Sequence, residues 1–220
     1  MRTSKDIPKR QLYMDENFGK EDDVLEKVRS ALKEDGKEGI NVGPNEGAIL
    51  KMLLSLAKAN SVVEVGTLYG YSAIWMARAL PKEGRLYCLE KSEENFVKAS
   101  KLIGASDVAE KVTLIHGDAL EGLESLSSKG PFDVVFIDAN KGGYGAYLDW
   151  AEKNVKPGGL IIGDNTFLFG HVYGEGREHS NVGPNPVKTM LEFNQRLSDP
   201  EKYISCILPT DEGMTVAIKR

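Results

Sequence analysis

From Ser61 onward one pattern repeats: a short apolar, β-branched run, an amphipathic stretch, then another apolar run. The runs are "SVVEV", "RLYCLE", "KVTLIH", "FDVVFID" and "GLIIGD", and the amphipathic segments lie near 70–80, 92–103, 119–127 and 144–155. Strands that alternate with helices are paired in parallel, and helices then cover both faces of the sheet. The pattern changes late in the chain. "YISCILP" and "MTVAIKR" are separated only by "TDEG", too short for a parallel crossover, so these two strands are expected to form an antiparallel hairpin. The expectation is an α/β, doubly wound, mostly parallel seven-stranded sheet.

A helical lead of about forty residues comes first. "EDDVLEKVRSALKEDG" sets Val24, Leu25, Val28, Ala31 and Leu32 at helical spacing and stops at Gly36. "NEGAILKMLLSLAKA" reads as a second helix, with Asn45 as its cap. A late helix is expected near 186–197, opening at Asn185-Pro186. With no repeat and no low-complexity linker, residues 1–220 read as one domain, with 1–40 as the lead.

A net charge of −5 provides no global field for nucleic acid. No apolar run approaches the ~20 residues of a membrane span, and "MRTSKDIPKR" has no apolar core region behind it. Cys88 and Cys206 sit in apolar runs and read as buried, reduced thiols. These features point to a cytoplasmic protein without a membrane partner.

Ligands of open α/β sheets lie beyond the carboxyl ends of the strands. Strand one ends in "EVGTLYGYS", Glu64 to Ser72, a G-x-x-x-G loop lacking both the dinucleotide fingerprint and the Lys-Ser/Thr of a phosphate loop. Gly66 and Gly70 allow close backbone approach, while the acid Glu64 would repel a pyrophosphate and favour a positive ligand. A strand-end acid bonded to nearby N–H groups is the plainer reading of Glu64. Strand two ends in Glu90, 24 residues after Gly66, the usual position of a carboxylate that grips ribose hydroxyls. Strand three ends in "HGDAL", where Asp118 could accept from an adenine amino group and Ala119 could offer its N–H. An adenosine with a cationic sulfonium and an amino-acid head, S-adenosylmethionine, fits all three ends.

Strand four ends in "FIDANKGGYGAY" and strand five in "IIGDNTFLFG". Asp138, Asp164 and Asn165 make an all-oxygen set suited to Mg²⁺, Mn²⁺ or Ca²⁺. Lys141, beside a cation in a desolvated pocket, is expected to have its pKa pushed down toward use as a general base. His116 reads as structural, and His171 and His179 as loop residues. Tyr144, Tyr147 and Trp150 share helical spacing and read as core, with Tyr144 a candidate to face the acceptor.

From about Leu12 to Arg220 the chain resembles the cation-dependent O-methyltransferases, the group containing the catechol and caffeoyl-coenzyme A enzymes and their bacterial relatives. "INVGPNEGAILKMLL", "VVEVGTLYGYSAIWMARALP", "FIDANK", "KPGGLIIGDNT" and "LPTDEGMTVAIKR" carry the resemblance, in the family's order. It implies a Rossmann-like class I methyltransferase domain using S-adenosylmethionine and a divalent cation, with Mg²⁺ foremost, on a catechol-type vicinal diol. It implies that Val42, Glu64, Gly66, Thr67 and Ser72 touch the cofactor's amino-acid end, Glu90 its ribose, and Asp118 and Ala119 its adenine. Asp138, Asp164 and Asn165 would bind the metal, with Asp138 also close to the cofactor. Lys141 matches the family's catalytic lysine, and a homodimer is the typical assembly. Asn140 stands where the family often has an acid. In the acceptor loop, 166–185, Leu168 replaces the tryptophan of the plant enzymes, so their acyl-coenzyme A specificity does not carry over.

A cofactor-binding protein without catalysis is opposed by the Asp138 and Lys141 pair, and two enzymatic rivals stand beside a small phenolic acceptor. One is methylation of a hydroxylated uridine in tRNA, for which Lys5, Lys9, Arg10 and Arg177 are the candidate contacts. The other is a nicotinamide oxidoreductase, opposed by Glu64 and by the missing third glycine.

Overall fold

The computed structural model describes residues 9–176 and 182–220. Three helices lead: α1 (Lys9–Phe18), α2 (Asp23–Glu34) and α3 (Pro44–Leu56). Then strands and helices alternate: β1 (Ser61–Val65), α4 (Tyr71–Ala77), β2 (Arg85–Glu90), α5 (Glu93–Gly104), β3 (Val112–His116), α6 (Ala119–Leu126), β4 (Phe132–Ile137), α7 (Tyr144–Asn154) and β5 (Val155–Asp164). α8 (Pro184–Leu197), β6 (Tyr203–Leu208) and β7 (Met214–Lys219) follow. The strands form one mixed sheet of order β3-β2-β1-β4-β5-β7-β6. The chain steps outward from β1 to β3, then returns to place β4 on the other side of β1. That reversal is the switch point of the topology.

The residues group into two compact units, one running up to Asn60 and including Thr67–His116, the other comprising Ser61–Gly66 and Gly117–Arg220. In the first, α2 buries Leu25, Val28 and Leu32, one face of an amphipathic helix. The Asp22 side chain caps it by accepting from the Leu25 N–H, and Gly36 ends it with φ +68°. α3 differs from expectation at its start. Gly43, not Asn45, is the cap residue, because the Glu46 carboxylate turns back to accept the Gly43 N–H at 2.6 Å. The Asn45 N–H is instead held by Asp15 at 3.0 Å. Every residue of α4 is buried. A Cβ on Gly47 of α3 would collide with the Trp75 ring of α4, so glycine sets how closely these helices pack. β2 and β3 pair in parallel, Leu86 opposite Val112 through Glu90 opposite His116.

In the second unit β4 is buried throughout, as a strand covered on both faces must be. β1 pairs with it in parallel from Val62–Val134 to Val65–Ile137, and β5 pairs on the far side, Leu160–Val134 to Gly163–Ile137. β5 starts earlier than "GLIIGD", at Val155, where a bulge shifts its register with β4. β7 lies antiparallel between β5 and β6, so the expected hairpin forms with its second strand innermost. That arrangement corrects one reading. Cys88 is buried, but Cys206 is exposed, because β6 is an edge strand and covers little of itself. No helix of the described residues is long and apolar enough to cross a membrane.

Candidate active site

β1 and β4 end side by side at the switch point, and the Asp138 N–H continues their ladder by donating to the Val65 carbonyl at 2.9 Å. Gly66 follows with φ +94°, and a Cβ there would run into the Asp138 carbonyl oxygen. Only glycine serves, both for the backbone angle and for the space. Glu64 lies opposite Phe136 in the ladder and is fully buried.

Past Asp138 the chain makes a 3₁₀ turn, Lys141–Gly143, that leads into α7. Side chains three apart eclipse in a 3₁₀ turn, which puts Lys141 and Tyr144 on one side. The Lys141 ammonium donates to Asp138 Oδ1 at 2.9 Å, to the Tyr144 hydroxyl at 2.8 Å and to the Asp164 carbonyl at 3.3 Å. It also lies 4.8 Å from the Tyr144 ring centre. The Asp164 side chain, at the end of β5, is buried. Asn165 follows it with φ +53°, a left-handed conformation that asparagine tolerates better than most residues.

The charge on Lys141 runs opposite to the expectation. Burial pulls its pKa down, but the carboxylates of Asp138 and Asp164 and the Tyr144 oxygen outweigh burial, and the net direction is up. Without a cation the group is a held ammonium, not a base. Burial pushes the Tyr144 phenol up as well, so it stays protonated at neutral pH.

Among the described residues no group of three or more His, Cys, Asp and Glu side chains converges as a metal site. The set at issue contains two acids and an amide. Its donors are all oxygen, and an ammonium already lies against one of them, Asp138 Oδ1, and against the Asp164 main-chain carbonyl. Hard donors that gather a positive charge suit a hard divalent cation.

The Asp118 carboxylate caps α6, its Oδ1 accepting the Leu120 N–H at 2.9 Å, and Ala119 is the first helical residue. In the first unit Glu90 accepts from three donors: the Leu68 N–H at 2.8 Å, the Ser92 N–H at 2.8 Å and the Asn95 amide at 3.4 Å. Those bonds hold Leu68 in a left-handed turn, φ +53°, between Thr67 and Gly70. Val42, Thr67 and Ser72 are buried. His116 stacks at a tilt on Phe96, in keeping with a structural role. Lys9 and Arg10 lie on α1, exposed, whereas Lys5, Arg177 and His179 fall outside the described residues.

A family model described as O-methyltransferase matches residues 15–220. The chain belongs to that family. It is 42% identical to a catechol O-methyltransferase of Niastella koreensis, over 83% of this chain and 84% of that one. The crystal structure of the O-methyltransferase TomG from Streptomyces achromogenes, in complex with SAM, superposes with a TM-score of 0.87 at 30% identity, covering 100% of this chain and 99% of that one. An O-methyltransferase from Bacillus cereus, solved with SAH, gives 0.85 at 30% identity, covering 96% and 97%. The fold is that of class I O-methyltransferases, and this chain is an enzyme of that kind.

Two features of this O-methyltransferase escape a reading of strand ends. The Tyr144 hydroxyl is one, buried among Lys141, Ile137 and Asp164. Its signal was the Lys141-x-x-Tyr144 spacing. The other is the root of the segment that follows β5. Phe167 donates its N–H to the Glu212 carbonyl, and Phe169 donates to the Glu212 carboxylate at 2.9 Å. A Cβ on Gly213 would meet the Phe167 ring. Leu168 is buried there, so the residue replacing the plant tryptophan faces inward.

Proposed function

We propose that this O-methyltransferase moves a methyl group from S-adenosylmethionine to one hydroxyl of a catechol-type vicinal diol, with a divalent cation, Mg²⁺ foremost, at Asp138, Asp164 and Asn165. The observation that carries the reading is the oxygen cluster around the Lys141 ammonium at the switch-point end of β4 and β5. Support comes from the Niastella relative, named for catechol, and from the two neighbours solved with SAM and SAH. On the sulfonium cofactor we assign Val42, Glu64, Gly66, Thr67 and Ser72 to the amino-acid end, Glu90 to the ribose, and Asp118 and Ala119 to the adenine. We take both compact units as parts of one methyltransferase domain, since the family match runs through both.

A divalent cation bound at this cluster supplies Lewis-acid stabilisation of a hydroxyl oxygen as its proton leaves. Asp138, Asp164 and Asn165 orient the diol by fixing where its oxygens can sit. Lys141 receives the departing proton at Nζ, which first requires that it part from Asp138 and give up its own extra proton to water. The rest of the rate enhancement comes from holding acceptor oxygen and methyl carbon close and in line.

The test is transfer of labelled methyl from S-adenosylmethionine to a catechol panel, run beside hydroxyuridine-containing tRNA, with and without chelator. Label should appear in a catechol, vanish in chelator and return with Mg²⁺. Label in the tRNA alone would replace the acceptor assignment. Full activity of metal-stripped protein in excess chelator would remove the cation.

A further inference from the structure

The Lys141 ammonium has three hydrogens and three partners: Asp138 Oδ1, the Asp164 carbonyl and the Tyr144 hydroxyl. The Asp138 carboxylate would be among the residues holding a cation at the proposed cluster, and would then be less available to Lys141. The ammonium is also repelled by a cation there. Two partners lie outside the proposed side-chain ligands, the Asp164 main-chain carbonyl at 3.3 Å and the nearer Tyr144 oxygen at 2.8 Å. That oxygen is well prepared to accept. A phenol has a single proton, and the Tyr144 hydroxyl has two main-chain carbonyls in reach as acceptors, Ile137 at 2.9 Å and Asp164 at 2.8 Å. Its proton is committed to the main chain, so a lone pair faces Nζ. The ring is immobile as well, fully buried with its edge contact to Phe193 at a centroid distance of 5.1 Å.

We propose that Tyr144 is the positioning residue for Lys141: its hydroxyl keeps Nζ at the acceptor site when the cation takes over Asp138. This rests on the cation reading above. Lys141 changes partners on cation binding without leaving the site, and Tyr144 is the nearer of the partners that persist.

The experiment follows Lys141 acylation by a small amine-reactive ester, quantified by mass spectrometry in full-length wild type and Tyr144→Phe. Each protein is measured without metal and with Mg²⁺ alone. Mn²⁺ binding, read separately by electron paramagnetic resonance, reports whether a cation occupies the site. Without metal, Asp138 holds the ammonium in both proteins, and their Lys141 should react equally slowly. With Mg²⁺, Lys141 of the variant should become several-fold more reactive than that of wild type. At saturating substrates kcat of the variant should fall by about 10–100-fold, the loss of one hydrogen bond to a charged group, with KM for the cofactor nearly unchanged. Equal Mg²⁺ responses in the two proteins, with Mn²⁺ bound to both, would overturn the tether while leaving the cation reading intact. Absence of Mn²⁺ binding in both would overturn the cation reading and the tether with it. Should the variant not fold, wild type decides alone. Protected Lys141 with Mg²⁺ bound upholds the tether, and free acylation under Mg²⁺ refutes it.

Discussion

Lys141 and Gly66 both follow strands of one β ladder, β4 and β1, and would fail for different reasons. Lys141→Ala removes no proposed metal ligand, so Mn²⁺ binding should survive while turnover drops by roughly 10²–10⁴-fold, the usual cost of a lost general base. Raising the pH should restore part of the rate, because hydroxide can take the acceptor's proton; a variant as active as wild type at neutral pH would dismiss the role. Gly66→Ala forces a side chain into a left-handed angle and into the Asp138 carbonyl. Such strain costs on the order of 1–3 kcal/mol and should lower the melting temperature as well as activity. Much at this scale was readable from the chain. The places of Asp138, Asp164 and Asn165 just at or after strand ends were readable because strand ends can be counted. The state of Lys141 was not, since it depends on a hydroxyl and a main-chain oxygen that spacing alone does not place. Cys206 misled because its neighbours are apolar, and apolar neighbours do not separate an edge strand from a central one.

Helices of the first unit are tied by one guanidinium. Arg78, at the C-terminus of α4, bonds Asp22, the cap of α2, at 2.7 Å, and Asp107, after α5, at 2.7 Å. The Arg78 hydrogen bonds hold the Asp107 carboxyl below its ordinary value; at Asp22 burial pushes up, and the bonds to Arg78 and the Leu25 N–H outweigh it. A carboxyl depressed in the folded state adds stability that is present above its unfolded pKa, about 4. It is lost as pH falls through the folded value. Arg78→Met should therefore flatten the acid limb of the stability curve below about pH 4 and leave its shape at neutral pH alone. Both acids are half-exposed, so salt should shrink the difference. For the acceptor loop, replacing Phe167–Pro184 should change which phenol is methylated while cofactor affinity stays near wild type. Equal loss of cofactor binding would make the loop structural. Elements were legible where periodicity was strong, as in α2. They were less so where a side chain reaches back, as Glu46 does to Gly43, because the backbone amide it satisfies has no signature of its own.

For the molecule as a whole, the choice of cofactor is a single measurement. The cofactor's demethylated thioether product at a hundred times its Kd should stabilise the fold by about 2.7 kcal/mol, and NAD should not stabilise it. The reverse result would end the methyl-transfer reading of Glu64 and Glu90. The strand alternation foretold a mixed α/β sheet, and the four-residue "TDEG" link foretold the hairpin. Which hairpin strand would lie against β5 was not foretold, since a hairpin can dock by either edge. Burial decides it: Met214–Ala217 are covered, whereas Ile204–Ile207 are not. That order has a consequence on the ribosome. β6 is translated before β7 but reaches the sheet only through it. Until 214–219 have cleared the exit tunnel, "YISCIL" waits as an apolar strand with no edge to join, and β5 stands open beside it. This is the interval in which a nascent chain of this kind most needs a chaperone's cover.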